Sequence, residues 1–435
     1  MEKIDKILQY LFSLQHGQMN HGLERIESLV EKLNHPHKKY PVIHTAGTNG
    51  KGSVCCLIAS ILQENGLKVG LYTSPHIIEF NERIRVNGTK ISNKEISNIY
   101  EKIEQNASEI GASFFEITTA IAFEHFKNSN VDIAVIETGL GGRLDSTNVV
   151  EPILSIITSI DKDHCQILGN SLEEIAQEKA GIIKQNSQVL VQDTNTKLFE
   201  IWQNVAQEKC TQLFSTYNFP AIKLNRYSDD LKMILDLELP CKYSFFIHPE
   251  NLVKMQITTN FVGSHQISNI RTAIFAILLI SNNFTVGNSA IISGIKNITK
   301  NTGYRFRIEC VCSEPFVIID VAHNPQSISR LVRTLQEMNS DSSKKWNFIF
   351  GAMLDKDIFE MLKFIKPICN KLIITVPKVE RAATVEQIKN IANELDFAEI
   401  ICAESVASAV ENITEDTVIC GSFYVIEEAI QSLNI

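Results

Sequence analysis

The feature that most constrains this chain is the run Thr45-Ala46-Gly47-Thr48-Asn49-Gly50-Lys51-Gly52-Ser53. It follows the β-branched stretch Val42-Ile43-His44 and precedes an apolar segment that reads as a helix. Small residues let backbone N–H groups turn inward around phosphate oxygens. The helix N-terminus adds partial positive charge there, and Lys51 adds a full one. The plain alternative is a tight strand-to-helix turn that binds nothing, and a lysine flanked by glycines disfavours it. The spacing is not the common Gly-x-x-x-x-Gly-Lys-Ser/Thr, because Thr45 stands where the first glycine is expected and Gly52 separates Lys51 from Ser53. That departure weighs against a GTPase or kinase.

The first half of the chain alternates short β-branched runs with helical stretches. Lys68 to Tyr72, Val131 to Glu137, Ile153 to Ile160 and Gln188 to Val191 read as strands buried on both faces of a parallel sheet. From Thr211 to Thr259 strand-like alternation predicts a small antiparallel sheet, and Ile267 to Ile280 reads as a helix. The polar stretch Lys296 to Gly303 is the expected linker. A second α/β unit follows, with strands at Val317-Ile318-Ile319, Phe348-Ile349-Phe350, Leu372 to Val376, Ile400-Ile401 and Val418-Ile419, and a helix opening at Asn324-Pro325. The expected fold is therefore α/β in two domains. Residues 1–297 carry a P-loop ATPase-like, mostly parallel sheet with a small antiparallel sheet, and residues 304–435 form a Rossmann-like α/β domain.

Composition narrows the partners. A net charge of -9 argues against nucleic acid and anionic membrane, which both favour an electropositive face. The N-terminal MEKIDKILQYLFSL lacks the apolar core of a signal peptide, and the aliphatic stretch Ala273 to Ile280 is too short to span a bilayer. The ten cysteines form no C-x-x-C pair and read as reduced core thiols. His35-Pro36-His37 reads as a solvated loop rather than a metal site. The expectation is a cytoplasmic protein and, without an oligomerisation motif, a monomer.

The anomalous glycine loop resembles that of the Mur ligase superfamily, in its folylpolyglutamate synthase/dihydrofolate synthase branch. Further segments resemble that branch in order along nearly the whole chain. They are Gly22-Leu23-Glu24-Arg25-Ile26; Thr73-Ser74-Pro75-His76 with Glu82-Arg83-Ile84 and Asn87-Gly88; Phe114-Phe115-Glu116 with Thr118; and Glu137 through Asp145 with Thr147-Asn148. Asp163-His164 with Leu168-Gly169, Glu178-Lys179-Ala180-Gly181, His265-Gln266 with Asn269, Asp320 through Pro325, Asp355-Lys356-Asp357 and Gly421-Ser422 complete the set.

The resemblance implies an ATP-dependent amide ligase that joins L-glutamate to dihydropteroate or to a reduced folate. It implies ATP, two Mg²⁺ sites and a monovalent cation. It assigns Thr48, Asn49, Gly50, Lys51, Gly52, Ser53, Asn269, Arg305, Asp320 and His323 to the nucleotide. Ser74, Glu137, His164 and Lys179 fall to metal, with Lys179 as a carbamate. Lys51, His164, Lys179 and Asp145 are the implied catalytic positions. Asn20, Ser113, Phe115, Leu144, Asp145 and Ser146 are implied to hold the acceptor. Glu137 also has a reading of its own, since a carboxylate at the end of a buried strand stands where open α/β sheets bind ligands. The family carries Pro-Gly-Arg where this chain has Gly303-Tyr304-Arg305, and Arg305 is aligned with that arginine. A peptidoglycan-precursor ligase of the same superfamily and a nucleotide-binding regulator without ligase chemistry are the alternatives.

Overall fold

The computed structural model describes residues 3–14, 22–192, 195–218, 222–228, 231–240, 252–339 and 344–435. Asn20 lies outside them. The chain divides into two compact units, one of Met1–Ile222, Leu237–Met255 and Ser268–Tyr304, the other of Lys223–Asp236, Gln256–Ile267 and Arg305–Ile435.

In the first unit, β1 (Val42–Ala46), β2 (Val69–Tyr72), β3 (Ile84–Val86), β4 (Thr89–Lys90), β5 (Ile133–Glu137), β6 (Leu154–Ile157), β7 (Gln188–Val191) and β8 (Gln212–Ser215) form one sheet. Its order is β4-β3-β2-β5-β1-β6-β7-β8. Neighbours from β2 to β8 are parallel, and β3 and β4 add an antiparallel edge. Every residue of β1 and β5 is buried, as expected of strands covered on both faces. The chain leaves β1 for β2 on one side and later continues into β6 on the other. The carboxyl end of β1 is thus where strand order reverses, and the glycine loop begins there.

The helix Lys51–Glu64 that follows is buried from Gly52 to Leu62, so it is a core element rather than an amphipathic cover. The helix Asn288–Lys296 crosses it closely. A Cβ on Gly294 would lie 2.5 Å from Ile61 Cα, and Ser60 Oγ donates to Gly294 O at 2.7 Å. The expected linker is instead the short helix Ile298–Thr302. Ile298 and Thr302 are buried, and Asn297 and Asn301 donate to Glu64 Oε1 at 2.9 and 2.8 Å. Two buried side chains in a polar run make it part of the packing.

Two other expectations change. Gln212–Ser215 does not join an antiparallel sheet; it pairs in parallel with β7. The separate three-stranded antiparallel sheet is β9 (Ile222–Tyr227), β10 (Met233–Pro240) and β11 (Leu252–Thr259), ordered β11-β10-β9. His37 is not solvated: it is buried against the Phe123 ring, and burial pulls its pKa down to about 4.

In the second unit, β12 (Glu309–Ser313), β13 (Phe316–Ile319), β14 (Trp346–Phe350), β15 (Cys369–Ile374), β16 (Ile400–Cys402) and β17 (Thr417–Cys420) are ordered β12-β13-β17-β14-β15-β16. All neighbours are parallel except the edge strand β12. Asn324 caps the helix Pro325–Met338 by accepting from Ser327 N at 2.9 Å, with Pro325 in its first turn.

Buried charge fixes one corner of the first unit. Glu116 takes Arg25 Nε at 3.1 Å and Nη2 at 3.0 Å, and its Oε2 also accepts Ser113 N at 2.7 Å, closing the capping box of the helix Phe114–Asn128. Removing the guanidinium leaves a buried carboxylate uncompensated. Arg25→Ala is expected to lower stability by about 3 kcal/mol, read as a shift in the urea midpoint.

Candidate active site

The glycine loop is fastened to the strand beside it. Thr48 N donates to Ser159 O at 2.8 Å, and Thr48 Oγ1 donates to Asp161 O and accepts from Asp161 N, both at 3.0 Å. Asn49 O accepts from Thr158 Oγ1 and Ser159 Oγ at 2.9 and 3.1 Å. Gly50 caps the helix at φ 90°, a left-handed conformation that glycine adopts without strain. Beside it stands Asn269, whose Oδ1 accepts from Gln192 Nε2 at 3.1 Å. Gly52 leaves room for two neighbours: a Cβ there would lie 3.1 Å from Tyr304 Oη and 3.3 Å from Glu137 Oε2. Ser53 Oγ lies 3.3 Å from the same Tyr304 hydroxyl.

Two lysines converge on one carbonyl. Lys51 Nζ donates to Gly47 O at 2.9 Å and to Thr48 O at 3.2 Å, and Lys179 Nζ donates to Gly47 O at 2.9 Å. Lys179 is buried at the end of the helix Leu172–Ala180. Burial, then the Lys51 charge, pulls its pKa down to about 7, against the pull of Asp163 and Asp145.

Glu137 closes β5 and pairs in register with Thr45 of β1. Its Oε2 accepts Ser74 N at 3.0 Å, so two of the proposed metal-binding residues meet. Oxygen donors of this kind suit a hard divalent cation. The ammonium form of Lys179 does not, and its lowered pKa brings the neutral amine within reach near pH 7. His164, at φ 51°, lies with its Nε2 3.9 Å from Asp163 Oδ1. Among the described residues no group of three His, Cys, Asp or Glu is gathered for a metal, so a serine and a lysine would complete the set.

The loop after β5 passes under Phe115, whose ring lies where a Cβ on Gly139 would be and stacks at 5.9 Å on Tyr72. Asp145 and Ser146 are buried in this loop, with Leu144 partly exposed, and Ser113 is the cap of the helix that carries Phe115. Burial pushes the Asp145 carboxyl up, while donors from Thr147, Leu140 and Gly139 oppose that shift. Leu140 N reaches Oδ2 at 2.8 Å and Thr147 N reaches Oδ1 at 3.0 Å. Asp145 thus ties its own loop together.

In the second unit Asp320 follows β13 and accepts Ala322 N and Ile308 N, both at 2.7 Å. Burial pushes its pKa up to about 6, and the Arg307 charge and these bonds oppose the rise. His323 Nδ1 lies 2.9 Å from Val321 O, with its ring 5.2 Å from Phe423. Arg305 pairs with Glu309 at 2.7 Å. The sequence reading gave no role to Arg307, Gln192, Tyr304 or Thr147, although the last two stand in segments it singled out. Phe306, just before Arg307, is left-handed at φ 62°.

Comparison with known proteins shows the family. Residues 45–277 match the Mur ligase middle domain, and residues 306–422 match the Mur ligase glutamate ligase domain. The chain is 35% identical over 371 residues to the dihydrofolate synthase/folylpolyglutamate synthase of Bacillus subtilis, covering 82% of each. It superposes on the structure of E. coli FolC in complex with DHPP and ADP with a TM-score of 0.84, at 28% identity, covering 100% of this chain and 98% of that one. The bifunctional folylpolyglutamate synthase/dihydrofolate synthase structure with Mn, AMPPNP and L-glutamate bound gives a TM-score of 0.81, at 28% identity, covering 100% and 99%.

The depressed Lys179 pKa fixes the sign of a pH effect. An unfolded lysine titrates near 10.4, so between about 7 and about 10.4 the unfolded chain holds a proton that the folded chain has released. The cost of burying Lys179 is complete below that window and fades as pH rises through it. Metal-free Lys179→Met protein in CO₂-depleted buffer is expected to melt above wild type near pH 6.5, with the gap closing by about pH 10.

Proposed function

We propose an acceptor, residue roles and a sequence of steps for a chain that belongs to the Mur ligase family, in its folylpolyglutamate synthase/dihydrofolate synthase branch, and is thereby an ATP-dependent glutamate ligase of folate metabolism. Both dihydropteroate and tetrahydrofolates serve as acceptors. The observation that carries the residue roles is the meeting of the Lys51 loop, Glu137 and Lys179 at the carboxyl ends of neighbouring strands.

Amide formation in water needs an activated carboxylate. An acceptor carboxylate oxygen attacks the γ-phosphorus of ATP, releasing ADP and forming an acyl phosphate. The glutamate nitrogen then attacks the acyl carbon, loses a proton and expels inorganic phosphate. The first step brings two anions together, and Lys51 with the loop N–H groups offsets that repulsion. Ser74, Glu137, His164 and Lys179 would hold divalent metal, which when bound neutralises charge on the phosphoryl oxygens. Two such positions and a monovalent cation belong to this proposal, and the Mn and AMPPNP of the related structure support the nucleotide–metal part.

Lys179 fits the metal best after its neutral amine adds CO₂ and loses a proton, which makes it an anionic carbamate. A peptide containing Lys179 heavier by one carbamate would support this; a bare amine in metal- and nucleotide-loaded protein would rule it out.

Ser113, Phe115, Leu144, Asp145 and Ser146 are assigned to the acceptor, with Asn20 carried by the resemblance alone. Asn269, Asp320 and His323 are assigned to the nucleotide. The left-handed backbone at Phe306 and the charge of Arg307 beside Asp320 support Arg307, in place of Arg305, as the arginine of the Pro-Gly-Arg pattern. The protein is proposed to be a cytoplasmic monomer with small-molecule partners only. Among the described residues no helix is long and apolar enough to cross a membrane.

Phosphate release with Mg-ATP and L-glutamate should depend on added dihydropteroate or tetrahydrofolate, with products heavier by one glutamyl unit. Stimulation by neither acceptor in protein that binds ATP would overturn the reading. Lys51→Ala should abolish turnover and leave the fold intact, read as an unchanged far-UV circular dichroism spectrum. Activity within about tenfold of wild type, roughly 1.4 kcal/mol of barrier, would contradict its role.

A further inference from the structure

We propose that His44 is a positioning residue for the acceptor loop, holding Asp145 in place through the hydroxyl of Thr147. This rests on the reading of Leu144 to Ser146 as acceptor contacts.

His44 sits in the middle of β1, fully buried, two residues before the strand ends and the glycine loop begins. Its Nε2 lies 2.7 Å from Thr147 Oγ1. That hydroxyl donates in turn to Asp145 Oδ1, the oxygen that also accepts Thr147 N at 3.0 Å. A hydroxyl has one proton, and here it is committed to the carboxylate. The contact with His44 must therefore be donated by the imidazole, which fixes the Nε2–H tautomer. Nδ1 is buried with no hydrogen-bond partner among the described residues. The bond order runs in one direction, from His44 Nε2–H to Thr147 Oγ1–H to Asp145 Oδ1.

The arrangement is unusual for a histidine kept only for packing. An apolar side chain would fill the same space without leaving a ring nitrogen unpaired. What the imidazole adds is one directed hydrogen bond into a carboxylate network. Burial keeps the ring neutral by pulling its pKa down to about 3, helped by the Lys184 charge. The donor is therefore present throughout the working pH range. Asp145 Oδ2 accepts Leu140 N at 2.8 Å, so its carboxylate joins the two ends of the loop that passes under Phe115. Through Thr147 this loop is keyed to the strand that delivers the phosphate-binding loop. His44 thereby sets where the acceptor lies relative to the phosphate it attacks.

The test is steady-state kinetics with Mg-ATP, L-glutamate and dihydropteroate on full-length protein. His44→Asn and Thr147→Val should each raise the acceptor KM about tenfold and leave the KM for ATP unchanged. His44→Gln, whose amide nitrogen reaches the same hydroxyl, and Thr147→Ser should restore the wild-type value. Equal effects of the Asn and Gln variants, or an unchanged acceptor KM in His44→Asn and Thr147→Val, overturn the proposal. Asp145→Asn separates the two levels of the argument. If it leaves the acceptor KM unchanged, the loop is not an acceptor site and the underlying reading fails. If it raises the acceptor KM while His44→Asn does not, only the role of His44 fails. A measurement on wild type is independent of variant folding: nitrogen NMR should show His44 at neutral pH with a protonated Nε2 and a bare Nδ1. The opposite tautomer or an imidazolium overturns the assignment.

Discussion

The carbonyl oxygen of Gly47 accepts two lysine side chains at 2.9 Å, and the charge balance of the candidate site turns on that contact. Two ammonium groups on one oxygen repel each other, and burial of Lys179 raises the cost of its charge. The site relieves this by lowering the proton affinity of Lys179, while Lys51, less buried, stays available for an anion. Triphosphate and carboxylate both need positive charge where they meet. Lys51 and the loop N–H groups supply that charge, while Lys179, once its proton is released, can carry the carbamate proposed above. The stapling of Thr48 and Asn49 to the segment after β6 keeps the loop from relaxing away from this arrangement.

Carboxylates with the same chemistry are placed in three different ways. Glu137 ends a buried strand and meets Ser74 beside the glycine loop, which suits it to a cation. Asp145 is committed to its own loop, with backbone and hydroxyl donors on both oxygens. That environment favours holding shape over shuttling protons. Asp320 is buried on two backbone N–H groups with Arg307 nearby, and its pKa of about 6 places its charge change close to the working range. Which role each plays follows from donors and burial rather than from residue type.

Much of this was readable in the amino-acid sequence where the signal is local. The glycine loop, the strand ending in Glu137 and the Asn324-Pro325 helix start each depend on a few adjacent residues. The partners that complete the site do not. Thr147 meets His44 across 103 residues, and Tyr304 meets Ser53 across 251. No periodicity links such pairs; only the sheet order brings them together. Gln212–Ser215 shows the same limit, since alternation marks a strand but does not say which neighbour it pairs with. Ile298–Thr302 was hidden by polar composition, although two of its side chains are enough to dock it.

The segment before Asp320 carries the conformational observation behind the proposal of Arg307. Matching Gly303-Tyr304-Arg305 to Pro-Gly-Arg puts Tyr304 where glycine belongs. Tyr304 is not left-handed; after Gly303 (φ 66°) positive φ falls at Phe306 (φ 62°) and Ile308 (φ 53°), on either side of Arg307. For bulky side chains this costs about 1–2 kcal/mol per residue, so surrounding contacts must hold it. They are present: Phe306 N donates to Glu309 Oε2 at 2.8 Å, Ile308 N donates to Asp320 Oδ2 at 2.7 Å, and both side chains are buried. A glycine would take the Phe306 conformation freely, which is reason enough for one to precede the arginine in the family pattern. Here burial of Phe306 and the carboxylate of Glu309 substitute for that freedom. The strained turn then presents Arg307, rather than Arg305, beside Asp320.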